Sequence, residues 1–168
     1  MEKRLSEIIQ RLALVPHPEG GFYKETYRSE GVIAASSLGA SYTGERNFST
    51  AIYFLLTSSN FSAFHRILQD EAWHYYDGHT LHLHLISPDG VYTLVRIGKD
   101  IVNGELPQFV VPGGYWFASE VPTADAWTLS GCTVSPGFDF RDFELTPRKT
   151  LLDHFPQHRA LIVRLTRE

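Results

Sequence analysis

The chain has 168 residues, enough for one domain with a core of its own, and its 43% hydrophobic and 13% aromatic content excludes a disordered chain. The net charge of −4 comes with both signs interspersed and no Lys/Arg run, which argues against a nucleic-acid or membrane partner; no apolar stretch is long enough to span a bilayer. The single cysteine, Cys132, excludes an internal disulfide and a thiolate zinc site and fits a cytoplasmic protein.

The opening stretch, MEKRLSEIIQ, carries acids and lacks the apolar core of an export signal. Leu5, Ile8, Ile9 and Leu12 recur at helical spacing, which predicts an amphipathic helix over 3–14. Pro16 and Pro18 end it, and Gly20–Gly21 redirect the chain. The turn HPEGG reads as structural, with Phe22 entering the core.

From Phe22 the period becomes two. FYKETYR alternates bulky with polar residues, and 48–57 is a longer apolar run that predicts a central strand. Further strands are expected near 63–67, 72–76, 81–86, 91–97, 109–111, 115–118, 127–134 and 138–143. Gly, Pro, Asp or Asn separates most of them. Short strands at regular spacing without intervening helices indicate an antiparallel sandwich or barrel. Near the C-terminus Thr146 is placed to cap a helix beginning at Pro147, and a further short element, helix or strand, follows Pro156.

The segment DEAWHYYDGH (70–79) crowds carboxylates, histidines and aromatics into ten positions. On a regular strand Glu71, Trp73 and Tyr75 share one face and His74 takes the other, unless a bulge near Trp73 restores it. His65 lies just upstream. A histidine beside a carboxylate inside a barrel has the makings of an acid–base pair: His65 as base or ligand anchor, Glu71 as its orienting partner, and Tyr75 or Tyr23 as donor. Trp73, His74, Trp116 and Phe117 are candidates for the pocket wall, with Glu25 and Thr50 at its edge. No cofactor is demanded. A divalent metal ion is the alternative, held by His65, Glu71 and His74 as an incomplete set needing water. His82 and His84 in LHLHL project to one side of a strand. No acid or cysteine joins them at a telling spacing, and they read as a solvated or interface-facing outer row. GFDFRDFEL changes its hydrophobic parity between Phe140 and Phe143, which marks a bulge or strand end. Phosphate-binding loops, dinucleotide fingerprints and the nucleophile elbow of serine hydrolases are absent from the sequence.

His65, Glu71 and Gly78, followed by Pro112–Gly113–Gly114, resemble the two motifs of the cupin superfamily. Two of the usual histidine ligands are replaced, one by Ile67 and one by Phe117, and Val121 stands where the second motif ends in Asn. The stretches HPEGGFYKETYRS, STAIYFLL, FHRILQDEAWHYYDG, LHLHLISPDG and GCTVSPGFDFRDFEL are similar, in order, to the uncharacterised cupin subfamily known as domain of unknown function 985. The resemblance implies an all-β, double-stranded β-helix (jelly-roll) barrel, usually dimeric. One domain is expected over 1–168, helical over 3–14 and about 147–165, with the barrel at about 22–143. By analogy with sugar-nucleotide epimerases and plant storage proteins, three functions stand open. The first is a small-molecule-binding protein that moves protons on a sugar or nucleotide-sugar-like ligand. The second is a metal-dependent oxygenase or isomerase. The third is a non-catalytic binding or structural barrel.

Overall fold

The computed structural model describes residues 2–168. Helix α1 (Glu2–Arg11) leads into β1 (Val15–Pro16), β2 (Phe22–Arg28), β3 (Val32–Ile33) and β4 (Arg46–Asn47). Then come β5 (Thr50–Thr57), β6 (Phe61–His65), β7 (Asp70–Gly78) and β8 (Leu81–Ile86). They are followed by β9 (Tyr92–Ile97), β10 (Gln108–Val111), β11 (Trp116–Glu120) and β12 (Trp127–Ser135). Helices α2 (Arg148–His154) and α3 (Arg159–Arg164) close the chain.

Two antiparallel sheets face each other. One runs β1-β2-β5-β12-β7-β10 and the other β6-β11-β8-β9, a jelly-roll arrangement in which β5 is interior, as its two-sided apolar sequence requires. Alternation fills the space between them. Phe54 and Leu56 of β5, Trp73 of β7, Leu81, Leu83 and Leu85 of β8, Phe117 of β11 and Cys132 of β12 all belong to the inter-sheet core. The opposite face of the smaller sheet carries Phe64, Ile86, Trp116 and Ala118, and α2 and α3 cover it with Leu151, Phe155, Ile162 and Leu165. Fully burying an aliphatic side chain is worth about 1.5–3 kcal/mol, so this cap secures the C-terminal helices to the barrel.

Several boundaries differ from expectation. Helix α1 stops at Arg11, and Ala13 takes a positive φ (50°) that turns the chain into the buried Leu14. Pro147, not Thr146, stands at the N-terminal cap of α2 with no side-chain capping bond, and the last element is helical. Residues 138–143 form no strand. A single 3₁₀ turn spans Phe140–Asp142, started by the Asp139 carboxylate, which accepts from Arg141 N. The parity change in that stretch has a cause: Asp142 points inward. Its carboxylate takes a two-pronged contact from Arg46 (Nε at 2.7 Å, Nη2 at 2.6 Å) and a third bond from Gln69 Nε2 at 2.7 Å. Both side chains of the ion pair are 1% exposed. This tie, together with Phe138 N donating to Thr50 Oγ1 at 2.9 Å, holds the Phe138–Phe143 loop against the barrel.

A buried ion pair contributes little over an apolar substitute, but removing one partner strands the other charge. Arg46→Met is expected to lower the urea-unfolding free energy by about 3–5 kcal/mol, and Arg46→Met with Asp142→Leu by clearly less than the two single losses added. Additive losses would show that the pair is not coupled.

Candidate functional site

A cavity of about 490 Å³ opens inside the barrel. The larger sheet supplies Tyr23, Glu25 and Arg28 from β2, Thr50, Ile52 and Phe54 from β5, Glu71 and Trp73 from β7, and Cys132 and Val134 from β12. Each set follows strand alternation except the first. Glu25 and Arg28 are three residues apart and share a face because the β2–β5 register slips between Glu25 and Tyr27. Phe138, Asp139, Phe140 and Phe143 of the tied loop form one wall.

The floor is built by a second bulge. β6 and β11 pair Phe117 with His65 but Ser119 with Ser62, so β6 has one residue too many. A regular strand would turn Ser62 and His65 to opposite faces; the bulge turns both toward Glu19. Ser62 Oγ donates to Glu19 Oε1 at 2.8 Å, and His65 Nε2 lies 3.1 Å from Glu19 Oε2. Glu19 arrives on the turn after β1, tied to the bulge by Ala63 N donating to Glu19 O. The turn can press this close only because Gly20 has φ +117° and no side chain. A Cβ there would lie 2.1 Å from Phe61 O.

Proton positions follow from geometry. His65 Nδ1 sits 2.7 Å from Ala63 O, an atom that can only accept, so Nδ1 carries hydrogen. The Nε2–Glu19 contact then needs one more proton, carried by either partner. Burial lowers the pKa of His65, with the Glu71 charge and the Ala63 carbonyl working the other way, and burial raises that of Glu19 against His17 and Ser62. Both directions favour a neutral imidazole accepting from a carboxylic acid. His17 Nδ1 accepts from Glu19 N at 3.3 Å, and its ring stands edge-on to Tyr23 at 4.6 Å between centroids. Burial likewise lowers the pKa of His17. Glu71 is pushed up to about 7: burial dominates, His65 opposes it, Glu19 adds to it, and the Cys132 thiol and Trp73 indole offset it in part.

The structure brings together His65, Glu71, Tyr23, Trp73, Glu25 and Thr50. Four other candidates lie elsewhere. Tyr75 shares the inward face of β7, but its hydroxyl donates to Gly78 O at 2.6 Å near the strand end. His74 lies on the outer face, 3.1 Å from Thr133 Oγ1, because pairing with β10 is regular through Trp73 and His74 and the β7 bulge comes after Tyr75. Trp116 faces the C-terminal helices, where Arg66 stacks on it at 4.7 Å. Phe117 is core and packs on the His65 ring at 4.1 Å. The residues that sequence reasoning passed over are Glu19, His17 and Ser62. The available signal was a titratable pair flanking a proline in a turn that reads as purely structural.

A metal at the usual cupin position does not fit this pocket. Ile67 and Phe117 present carbon where histidines would ligate, Glu19 occupies the Nε2 side of His65, and His74 points away. Among the described residues, three ligand atoms converge within 4.8 Å only at His82, His84 and Glu120, outside the pocket.

The family model described as cupin superfamily (DUF985) matches residues 6–146. An uncharacterized protein of Saccharomyces cerevisiae is 36% identical over 166 residues, covering 89% of this chain and 79% of its own. A crystal structure of a Shewanella oneidensis protein shares 42% identity over 96% of both chains, with a TM-score of 0.87. A hypothetical protein from Leishmania major shares 39% over 97% of this chain and 98% of its own, with a TM-score of 0.88. At 9% identity, a cupin 2 domain-containing protein from Halorhodospira halophila shares the fold, with a TM-score of 0.56.

The raised Glu71 has a consequence for stability. Between its unfolded value near 4.5 and its folded value of about 7, the native state holds more protons than the unfolded one, so this group's contribution is full at low pH and is lost as pH rises through 7. Relative to Glu71→Gln, the wild-type protein is expected to lose up to about 3 kcal/mol between pH 5 and pH 8 in denaturant titrations. Parallel stability curves for the two proteins would refute the assignment.

Proposed function

This chain belongs to the DUF985 family of the cupin superfamily, and from that premise we propose that its barrel binds a small uncharged sugar-like or hydroxycarbonyl compound and moves a proton on it. The observation that carries this reading is the floor of the cavity. There a carboxyl group with a pKa of about 7 stands in one pocket with an imidazole–carboxyl pair that already shares a proton. A general base works best with a pKa near ambient pH, and a neutral acid held by a hydrogen bond is a ready donor.

In this reading Glu71 takes a proton from the carbon next to a carbonyl, and the His65–Glu19 pair returns one to the opposite face of that carbon, which epimerises it. Delivered instead to the carbonyl oxygen, the proton gives an enediol, which becomes the isomer when Glu71 returns its proton to the neighbouring carbon and the other hydroxyl gives one back to the pair. No oxidant is consumed, so the outcome is an epimerisation or isomerisation. Tyr23 offers a donor to ligand hydroxyls, while Phe138, Phe140 and Phe143 supply apolar faces for a ring. Relative to the expectation from sequence, Glu19 takes over as orienting partner of His65, and Glu71 becomes a separately titrating group.

Charge favours a free sugar over a nucleotide sugar. Glu19, Glu25, Glu71 and Asp139 line the cavity against one guanidinium, Arg28. The Arg28 donors are spent on Glu25, Asn47 Oδ1 and Phe138 O, leaving nothing to clasp a pyrophosphate. The proposal includes a homodimer: Tyr27, Val32, Phe48 and Phe140 are exposed large hydrophobic residues that a second copy would cover.

Uncharged aldoses, ketoses and small hydroxycarbonyl compounds incubated with the protein in deuterated water are expected to show deuterium entering one carbon position by NMR. His65→Ala and Glu71→Gln should each slow that exchange by about 100-fold or more. Exchange at the wild-type rate in both variants would sink the mechanism. Tight binding without exchange would favour a non-catalytic barrel.

A further inference from the structure

A second titratable cluster lies outside the pocket, on the opposite face of the smaller sheet. Because Leu81, Leu83 and Leu85 turn into the core, His82 and His84 turn out together. The acid that sequence spacing does not supply comes from the neighbouring strand. In the β11–β8 register Glu120 stands directly across from His82, and Ala118 across from His84. His84 Nε2 lies 3.1 Å from Glu120 Oε1, and the two imidazole centroids are 6.1 Å apart. Of the two readings of this outer row, solvated or interface-facing, the solvated one does not hold for His84, which is 3% exposed. Tyr92 of β9 packs on its ring and places a hydroxyl 2.9 Å from Nδ1. Helix α3 brings Arg164 onto the same Glu120 oxygen.

We propose that His82, His84 and Glu120 form a site for a divalent transition-metal ion of the zinc type, separate from the cavity. One ligand atom from each lies within 4.8 Å of the others. Bonds of about 2.0–2.1 Å in tetrahedral geometry separate neighbouring ligand atoms by roughly 3.3 Å, so the His84–Glu120 edge is already in place. Two imidazoles and one carboxylate suit zinc or cobalt and not magnesium or calcium, which favour oxygen ligands throughout. Three protein ligands leave a fourth position for water or an outside ligand.

The surroundings fit that role. Burial lowers the pKa of His84 to about 4, against the opposing pull of Glu120, so the imidazole is neutral at physiological pH and loses no proton on binding an ion. Burial lowers the pKa of His82 as well, with Glu120 opposing. Without metal, the Tyr92 hydroxyl donates to Nδ1 and Nε2–H donates to Glu120. With metal, the tautomer reverses: Nδ1–H donates to the Tyr92 oxygen and the Nε2 lone pair turns to the ion. Such an outer partner fixes the ring and the ligating nitrogen. Arg164 is the competitor. Its guanidinium neutralises the carboxylate that the ion requires, and at half exposure it can swing into solvent.

The test uses the full chain without a histidine tag, stripped by chelator and titrated calorimetrically with Zn²⁺ and with Co²⁺. One equivalent is expected to bind, with the visible absorption of four-coordinate cobalt. His82→Ala, which changes only a half-buried side chain, should weaken binding by about 10-fold or more, and Arg164→Gln should strengthen it several-fold. His65→Ala should leave it unchanged. No saturable binding in the wild-type protein would overturn the proposal, as would unaltered affinity in His82→Ala. Loss of binding in His65→Ala would place the ion in the pocket and overturn it equally.

Discussion

Two carboxyl groups and an imidazole buried together at the floor of one cavity do not all carry charge without a large cost, and the pocket is organised around that constraint. Ionising both Glu19 and Glu71 with no neighbouring cation would cost several kcal/mol in desolvation and repulsion. The sheet geometry answers with proton sharing. The β6 bulge brings Ser62 and His65 onto the two oxygens of Glu19, so that acid is fully hydrogen-bonded in its neutral form, while Glu71 is left to titrate. Lengthening or shortening β6 by one residue would return Ser62 or His65 to the far face and leave Glu19 buried without one of its partners.

The same device recurs at the mouth. A slip in β2 lets Glu25 and Arg28 face the cavity together, so the one guanidinium lining it is spent on a local pair. Where many cupins place metal-binding histidines, this chain has Ile67 and Phe117, and the ring of Phe117 lies against His65. The histidine that remains is held by a carbonyl, a carboxyl group and an aromatic face. That environment tunes a proton.

How much of this could be read in the sequence depended on whether strand alternation was regular. LHLHLI gave β8 to the residue, with leucines inward, and the segment from Glu71 to Trp73 was correctly oriented. His65, Glu71, Trp73 and Tyr23 do line one cavity, although His65 lies on an irregular strand. What alternation cannot show is a bulge, because one extra residue inverts parity without changing composition. The shared orientation of Ser62 and His65, and of Glu25 and Arg28, was invisible for that reason. Glu19 and His17 were missed because a Pro- and Gly-bearing turn looks complete as a turn. Glu120 was missed because its partners are set by strand pairing, not by spacing. In Phe138–Phe143 alternating phenylalanines imitate a strand, and only the Arg46–Asp142 pair, distant in sequence, reveals a loop.

That pair has a bearing on the proposed binding role. Because Arg46 and Gln69 hold Asp142, and Thr50 holds the backbone of Phe138, the aromatic wall stands in position before any guest arrives. In that proposed role, little chain entropy of this wall remains to be surrendered on complexation. Under the same proposal, affinity is then set by how well an occupant fits a wall that is fixed in advance.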